Sequence, residues 1–284
     1  MDSPAVQKLL STSEFAEALG VSESSVRRLA DSGHVNVHRT KGGHRKIPVE
    51  EAIRYVRDQG IRPQRPELLG VSLSTEADAP NAFFKALTDG DSDLAVRVLQ
   101  TLYLEGSNAA TLFDGPVLNA LSRIGSTFPQ DKKSIFVEHR AVIICIRSLM
   151  QLRSMMPQVA PDAPSAICAA PAGDPFLLPS LMCSLVFHEA GFSEINLGPD
   201  TPLDIVMDAI EDESPRIISL SITGAIRSKS QLAEIEKLNR AANKHDCALI
   251  IGGKNAELVE SSNIQRGRSM TELFRFAKSL RHQT

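Results

Sequence analysis

Residues 20–47 read GVSESSVRRLADSGHVNVHRTKGGHRKI, and the architecture of the N-terminus follows from them. Ser22 is a natural N-cap for a helix running to about Ser32, with Val26, Leu29 and Ala30 inward and Gly33 as its stop. Upstream, Ser11 followed three residues later by Glu14 is a capping-box pattern. Phe15, Ala18 and Leu19 give that first helix an apolar face, and Gly20 ends it. Two short helices joined by a glycine-containing turn form a helix-turn-helix unit. Downstream, Val35 to His38 alternates like a strand, Lys41-Gly42-Gly43 is a tight turn, and Arg45-Lys46-Ile47 returns. The result is a small hairpin, or wing, whose double glycine lets the backbone approach a partner closely. Pro48 leads into a third helix, Val49 to Asp58, with Ala52, Ile53 and Val56 apolar.

Charge supports a nucleic-acid reading of this module. The 284-residue chain carries a net charge of −3, yet Arg27 to Lys46 holds six Lys/Arg against one acid, Asp31. Such a local basic patch is the electrostatic footprint of a DNA-binding module, and the expected partner is double-stranded DNA. Recognition helices place their N-terminal residues on base edges, which here are Ser22, Glu23, Ser24, Ser25 and Arg28, with Arg27 directed at phosphate. The wing residues Arg39, Thr40, Lys41, Gly43, His44 and Arg45 would follow the backbone or enter the minor groove. The competing reading is a solvated basic face on a protein-binding winged helix. With these residues in place, the stretch resembles the winged helix of MerR-type regulators and their excisionase-like relatives. The Gly20-Val21-Ser22 turn, Val26-Arg27-Arg28 and the Arg39-Thr40-x-Gly42-Gly43-His44-Arg45 wing carry the resemblance, over about residues 8–58.

The length favours two or three units, and 42% hydrophobic residues exclude a disordered chain. No apolar run approaches the roughly 20 residues a membrane span needs, and Met1-Asp2-Ser3-Pro4 lacks the blocks of a signal peptide, so a cytoplasmic protein is expected. Cys145, Cys168, Cys183 and Cys247 are scattered and read as reduced core thiols. With 1–60 as the DNA-binding domain, residues 61–80, with Pro63, Pro66 and Pro80, have linker composition. Helical patterns over 82–89, 92–105, 109–127 and 133–155, with Asp91 and Asp131 as caps, predict a four-helix bundle across 81–160. On the last helix Glu138 shares a face with Val142, Cys145 and Leu149, and His139 shares one with Ile143, Ile146 and Met150. An adjacent carboxylate and imidazole bordering an apolar stripe form either a hydrogen-bonded structural pair or part of a binding site.

Across 161–284 near-continuous apolar strands (166–170, 194–197, 216–221, 248–251) alternate with helices. That pattern predicts a parallel sheet covered on both faces, with ligands outside the carboxyl ends of its strands. A bundle followed by such a flavodoxin-like domain resembles the cobalamin-binding unit of corrinoid proteins, and the whole order resembles light-sensing MerR-type repressors of the CarH kind. The resemblance implies a ligand-binding set of Phe128, Glu138, His139, Asp174, Phe176, Ser221, Thr223, Gly252 and Gly253. Phe128, nine residues and Glu138-His139 match the family's cap with Phe in place of Trp, while Pro129 replaces the following His. Of the family's Asp-x-His-x-x-Gly, Asp174 is kept and Phe176 stands at the axial His. Ser221 and Thr223 partly match the family's Ser-x-Leu, and Gly252-Gly253 keeps its Gly-Gly. Phenylalanine cannot coordinate a metal, and His188 and His245 fall late in or after helices, away from this loop. The cofactor is therefore open: cobalamin without a lower His, a different flat or apolar ligand, or a domain kept for assembly. The resemblance implies a transcriptional regulator, a repressor, acting as a homodimer or tetramer, with a small molecule or an antirepressor protein as the expected signal. No catalytic triad, metal cluster or phosphate-cradling loop stands out in the sequence, so a non-enzyme is expected. The alternatives are a corrinoid carrier for methyl transfer and a regulator that binds only protein.

Overall fold

The computed structural model describes residues 9–61, 63–69, 78–127, 132–224, 229–259 and 264–281. The expected cap Asp131 lies outside them. The chain divides into two compact units, one of residues 1–107 and 116–157, the other of 108–115 and 158–284.

The first unit opens with the winged helix. α1 (Thr12–Leu19) starts as a capping box: Ser11 Oγ accepts from the Glu14 amide at 3.1 Å, and Glu14 accepts from the Ser11 amide at 2.7 Å. Gly20 ends it in the left-handed region at φ 70°. α2 (Glu23–Asp31) starts at Ser22, whose hydroxyl accepts from the Ser25 amide. The wing is β2 (His38–Arg39) antiparallel to β3 (Arg45–Pro48), and β1 (Leu9–Ser11) adds a third strand on the other side of β3. Leu10, Phe15, Ala18, Val26, Val35, Ile47 and Ile53 are fully buried and form this module's core. Each large apolar side chain there contributes roughly 1.5–3 kcal/mol by leaving water.

α3 (Val49–Asp58) completes the module and leans on the helices that follow. Its Arg57 guanidinium stacks 4.0 Å above the Tyr103 ring and donates to the Ser107 carbonyl at 3.2 Å. Those helices are α4 (Ala79–Asp89), α5 (Ser92–Leu104), α7 (Leu118–Thr127) and α8 (Lys132–Met155), and they pack on one another. Asp91 caps α5 through the Leu94 amide at 2.8 Å. The helix expected over 109–127 is broken. Gly115 leaves helical geometry at φ −90°, ψ −105°, and Pro116 follows with no N–H to give. The turn before the break, α6 (Ala109–Leu112), belongs to the second unit.

In the second unit a five-stranded parallel sheet has the order β5-β4-β6-β7-β8. Its strands are β4 (Ser165–Pro171), β5 (Ser193–Thr201), β6 (Ile217–Ser221), β7 (Ala248–Gly252) and β8 (Gln265–Gly267). Numbered within the unit this is 2-1-3-4-5, the flavodoxin-like order, whose switch point lies between β4 and β6. α10 (Leu203–Glu213) and α11 (Lys229–Lys244) pack together, and their Val206, Ile210, Ile235 and Leu238 join Ile167, Ile218 and Ile251 of the sheet in one core. α9 (Leu177–Ala190) is apolar nearly all round and buried nearly throughout, as such a helix must be. α12 (Met270–Arg281) and α6 both pack on α9. The Asp114 carboxylate caps α12, accepting the Met270 amide at 2.8 Å and the Thr271 amide at 2.9 Å.

Candidate functional site

The end of α2 presents a small polar cluster to solvent. Ser22, Ser24, Arg27 and Arg28 are exposed, with Ser22 Oγ 2.8 Å from Ser24 Oγ and 2.9 Å from Ser25 Oγ. Glu23 is tethered: the Thr12 hydroxyl donates to it at 2.6 Å and Arg27 pairs with it at 2.8 Å. The Thr12 hydrogen bond, then the Arg27 one, holds the Glu23 carboxyl below its usual range. Arg28 donates to the Ser25 hydroxyl at 3.3 Å and presents a planar fork at the helix surface.

The wing tip is held by its own backbone. The Gly43 amide donates to the Thr40 carbonyl at 2.8 Å and the His44 amide donates to Thr40 Oγ1 at 3.2 Å, with Gly43 at φ 77°. Arg39, Thr40, Lys41, Gly43 and His44 are exposed, while Arg45 is half-buried. The residue that sequence patterns do not single out is Asp31. Its Oδ1 accepts Arg45 Nη2 at 2.6 Å and Nε at 3.2 Å, and Arg39 lies 3.5 Å away. Its only sequence signal is that it is the lone acid in the basic stretch.

In the second unit the carboxyl edge of the sheet is laced together by two aspartates. Asp174, 3% exposed, accepts three amides: Thr223 at 2.6 Å and Gly224 at 2.7 Å on Oδ2, and Phe176 at 3.2 Å on Oδ1. Asp200, at φ 53°, donates its amide to the Asp174 carbonyl at 2.8 Å and accepts the Gly173 amide at 2.6 Å. Asp200 and Asn255 both bond to backbone atoms of other loops at this edge; Asn255 Nδ2 donates to the Thr223 carbonyl at 2.9 Å. Gly252 and Gly253 have a structural reason of their own. A Cβ on Gly252 would meet the Gly267 carbonyl at 2.9 Å, and one on Gly253 the Ile222 carbonyl at 2.5 Å. Ser221 is buried, 3.9 Å from Cys183 Sγ. Phe176 stands at the start of α9 and is 49% exposed.

On α8 both Glu138 and His139 face solvent. The buried side is Val137, Ala141, Ile144, Cys145, Ser148 and Leu149, so the stripe through His139, Ile143 and Met150 is not core. The sequence offered two adjacent apolar stripes on one helix, and only one side of it packs against its neighbours. Phe128 and Pro129 lie outside the described residues.

The helix-turn-helix domain family matches residues 9–60, the span from β1 through α3. No curated protein sequence matches the chain. Among solved structures, the chain is similar to the monomethylamine corrinoid protein of Methanosarcina barkeri, with 13% identity and a TM-score of 0.55 over 72% of this chain and 100% of that one. At this identity the likeness is one of fold. A cobalamin-binding protein from Desulfitobacterium hafniense DCB-2 matches at 19% identity over 71% of this chain and 98% of that one, with a TM-score of 0.36, too loose to build on. The chain thus joins a helix-turn-helix module to helices and a flavodoxin-like α/β unit, and over 72% of its length it is similar in fold to the monomethylamine corrinoid protein.

The loop after β4 has no counterpart of the axial histidine that the resemblance implies. Phe176 has no donor atom, and Asp174 has its carboxylate engaged by three amides. His188, buried on α9, pairs through Nδ1 with Glu194 at 2.7 Å. Among the described residues no group of three or more His, Cys, Asp or Glu could hold a metal ion, and no helix is long and apolar enough to cross a membrane.

Proposed function

We propose that this chain is a sequence-specific DNA-binding transcriptional regulator of MerR type, a repressor that acts as a homo-oligomer in the cytoplasm. The observation that carries the reading is the exposed side of α2. A capped helix presents Ser24 and the Arg28 fork to solvent, and the exposed wing tip bears Lys41 and His44. Serine hydroxyls and an exposed guanidinium are the groups that read base edges in the major groove, where Arg pairs with guanine. Lys41 and the wing backbone supply phosphate contacts, which position the protein without reading sequence. A regulator needs no reaction of its own, and we assign this chain none.

The second unit, on this reading, reports a signal other than His-ligated cobalamin. The absence of an axial donor at Phe176 supports that view. A titration of fluorescent duplex DNA with the full chain tests the DNA half. Arg28→Ala should lower affinity for a preferred duplex by ~10- to 100-fold, the scale of one bidentate base contact. It should leave a scrambled duplex nearly unaffected. Equal loss on both duplexes would remove the sequence-reading role.

A further inference from the structure

Arg39 and Arg45 sit directly opposite each other across the wing, as partners in the β2–β3 register. Side chains paired this way share a face, and like charges so placed destabilise the pair. The structure sets Asp31, the last residue of α2, against both. Two N–H groups of Arg45 converge on Asp31 Oδ1, and Arg39 completes the cluster at 3.5 Å. One carboxylate therefore ties both wing strands to the end of the recognition helix. We propose that Asp31 is a positioning residue that sets operator selectivity, fixing the wing at one angle to α2 and withholding two guanidiniums from phosphate. This rests on the DNA-binding reading given above.

The charge count shows what the arrangement does. Of the six Lys/Arg from Arg27 to Lys46, Arg27 pairs with Glu23, and Arg39 and Arg45 pair with Asp31. Arg28, Lys41 and Lys46 have no carboxylate partner among the described residues. Non-specific affinity scales with the number of phosphates neutralised, so pairing half of these cations inside the module suppresses binding to arbitrary DNA. Selectivity is a difference of affinities, and weakening the wrong complex serves it as well as strengthening the right one. The Arg27–Glu23 and Arg39–Asp31 pairs are solvent-exposed and Arg45 is half-buried, so removing these pairs costs little stability and leaves a folded protein on which to measure the effect.

The experiment compares the duplex that the full chain enriches from a random library with a scrambled duplex of equal length, over a series of salt concentrations. In Asp31→Asn, preference for the enriched duplex should fall by roughly tenfold, the equivalent of one mismatched base pair. The slope of log affinity against log salt should steepen by about 1 to 2 per module. Arg45→Lys keeps the charge but not the two converging N–H groups, so it should lose preference with an unchanged slope. Asp31→Glu should recover part of the preference. If both Asp31→Asn and Arg45→Lys keep the full preference, the positioning role is wrong although DNA binding stands. If the unaltered chain enriches no sequence, the DNA-reading function itself falls.

Discussion

The carboxylate of Asp174, in the loop after β4, accepts the backbone N–H of Thr223, in the loop after β6, at 2.6 Å. With Gly224 at 2.7 Å this bridges the two strands that flank the switch point of the sheet. A buried carboxylate is tolerated there because backbone donors surround it. Asp174→Asn would turn one acceptor oxygen into a donor facing N–H groups, at a cost of about 2–3 kcal/mol. The midpoint of thermal unfolding should drop by roughly 5–10 °C. An unchanged midpoint would show that the clasp contributes nothing.

Burial governs the four thiols. It pushes Cys145 and Cys247 up to about 12 and raises Cys168 and Cys183 as well. The thiolate is the reactive form, so none of the four should react with a thiol reagent at pH 8 in the folded protein. All four should react once it is denatured. Rapid labelling of any one in the native state would contradict the packing around it.

Glu23 gives a pH dependence with a definite sign. Its folded carboxyl lies below the ordinary 4.5, first through the Thr12 hydroxyl and then through Arg27. A depressed acid contributes stability that is present above the unfolded value and lost as pH falls through the folded one. Thr12→Val removes the leading cause, so an NMR titration should find the Glu23 midpoint moved upward. A midpoint that stays put would show that Thr12 does not hold the start of α2 in solution.

Phe176, where the resemblance implies an imidazole, offers a metal no donor atom. After incubation with adenosylcobalamin and desalting, the chain should show no spectrum of histidine-ligated cobalt. Phe176→His restores a donor atom at this position, and a histidine-ligated spectrum from that variant alone would trace the difference to this one side chain. A histidine-ligated spectrum from the unaltered chain would require a donor elsewhere.

Much of this fold is written in local pattern. The capping box at Ser11–Glu14, the left-handed Gly20 and the Ser22 cap mark the helix-turn-helix because each acts within one helical turn. The apolar runs of β4, β6 and β7 mark a parallel sheet buried on both faces. What escaped reading acts over distance or lacks a pattern. β1 is three residues long, and β8, Gln265–Gly267, is a polar edge strand. Asp174 reaches backbone atoms 49 residues away, and a backbone amide has no sequence signature. Asp31 stands out only as an acid among bases. On α8, the buried side was ambiguous because Ile143 and Met150 extend the apolar pattern onto the exposed side.

The most direct measurement is selection of random-sequence duplexes by the full chain at physiological salt, followed by sequencing of the bound pool. A recurring motif is expected, with enrichment that collapses in Arg28→Ala. A bound pool as diverse as the input, with or without Arg28, would contradict it.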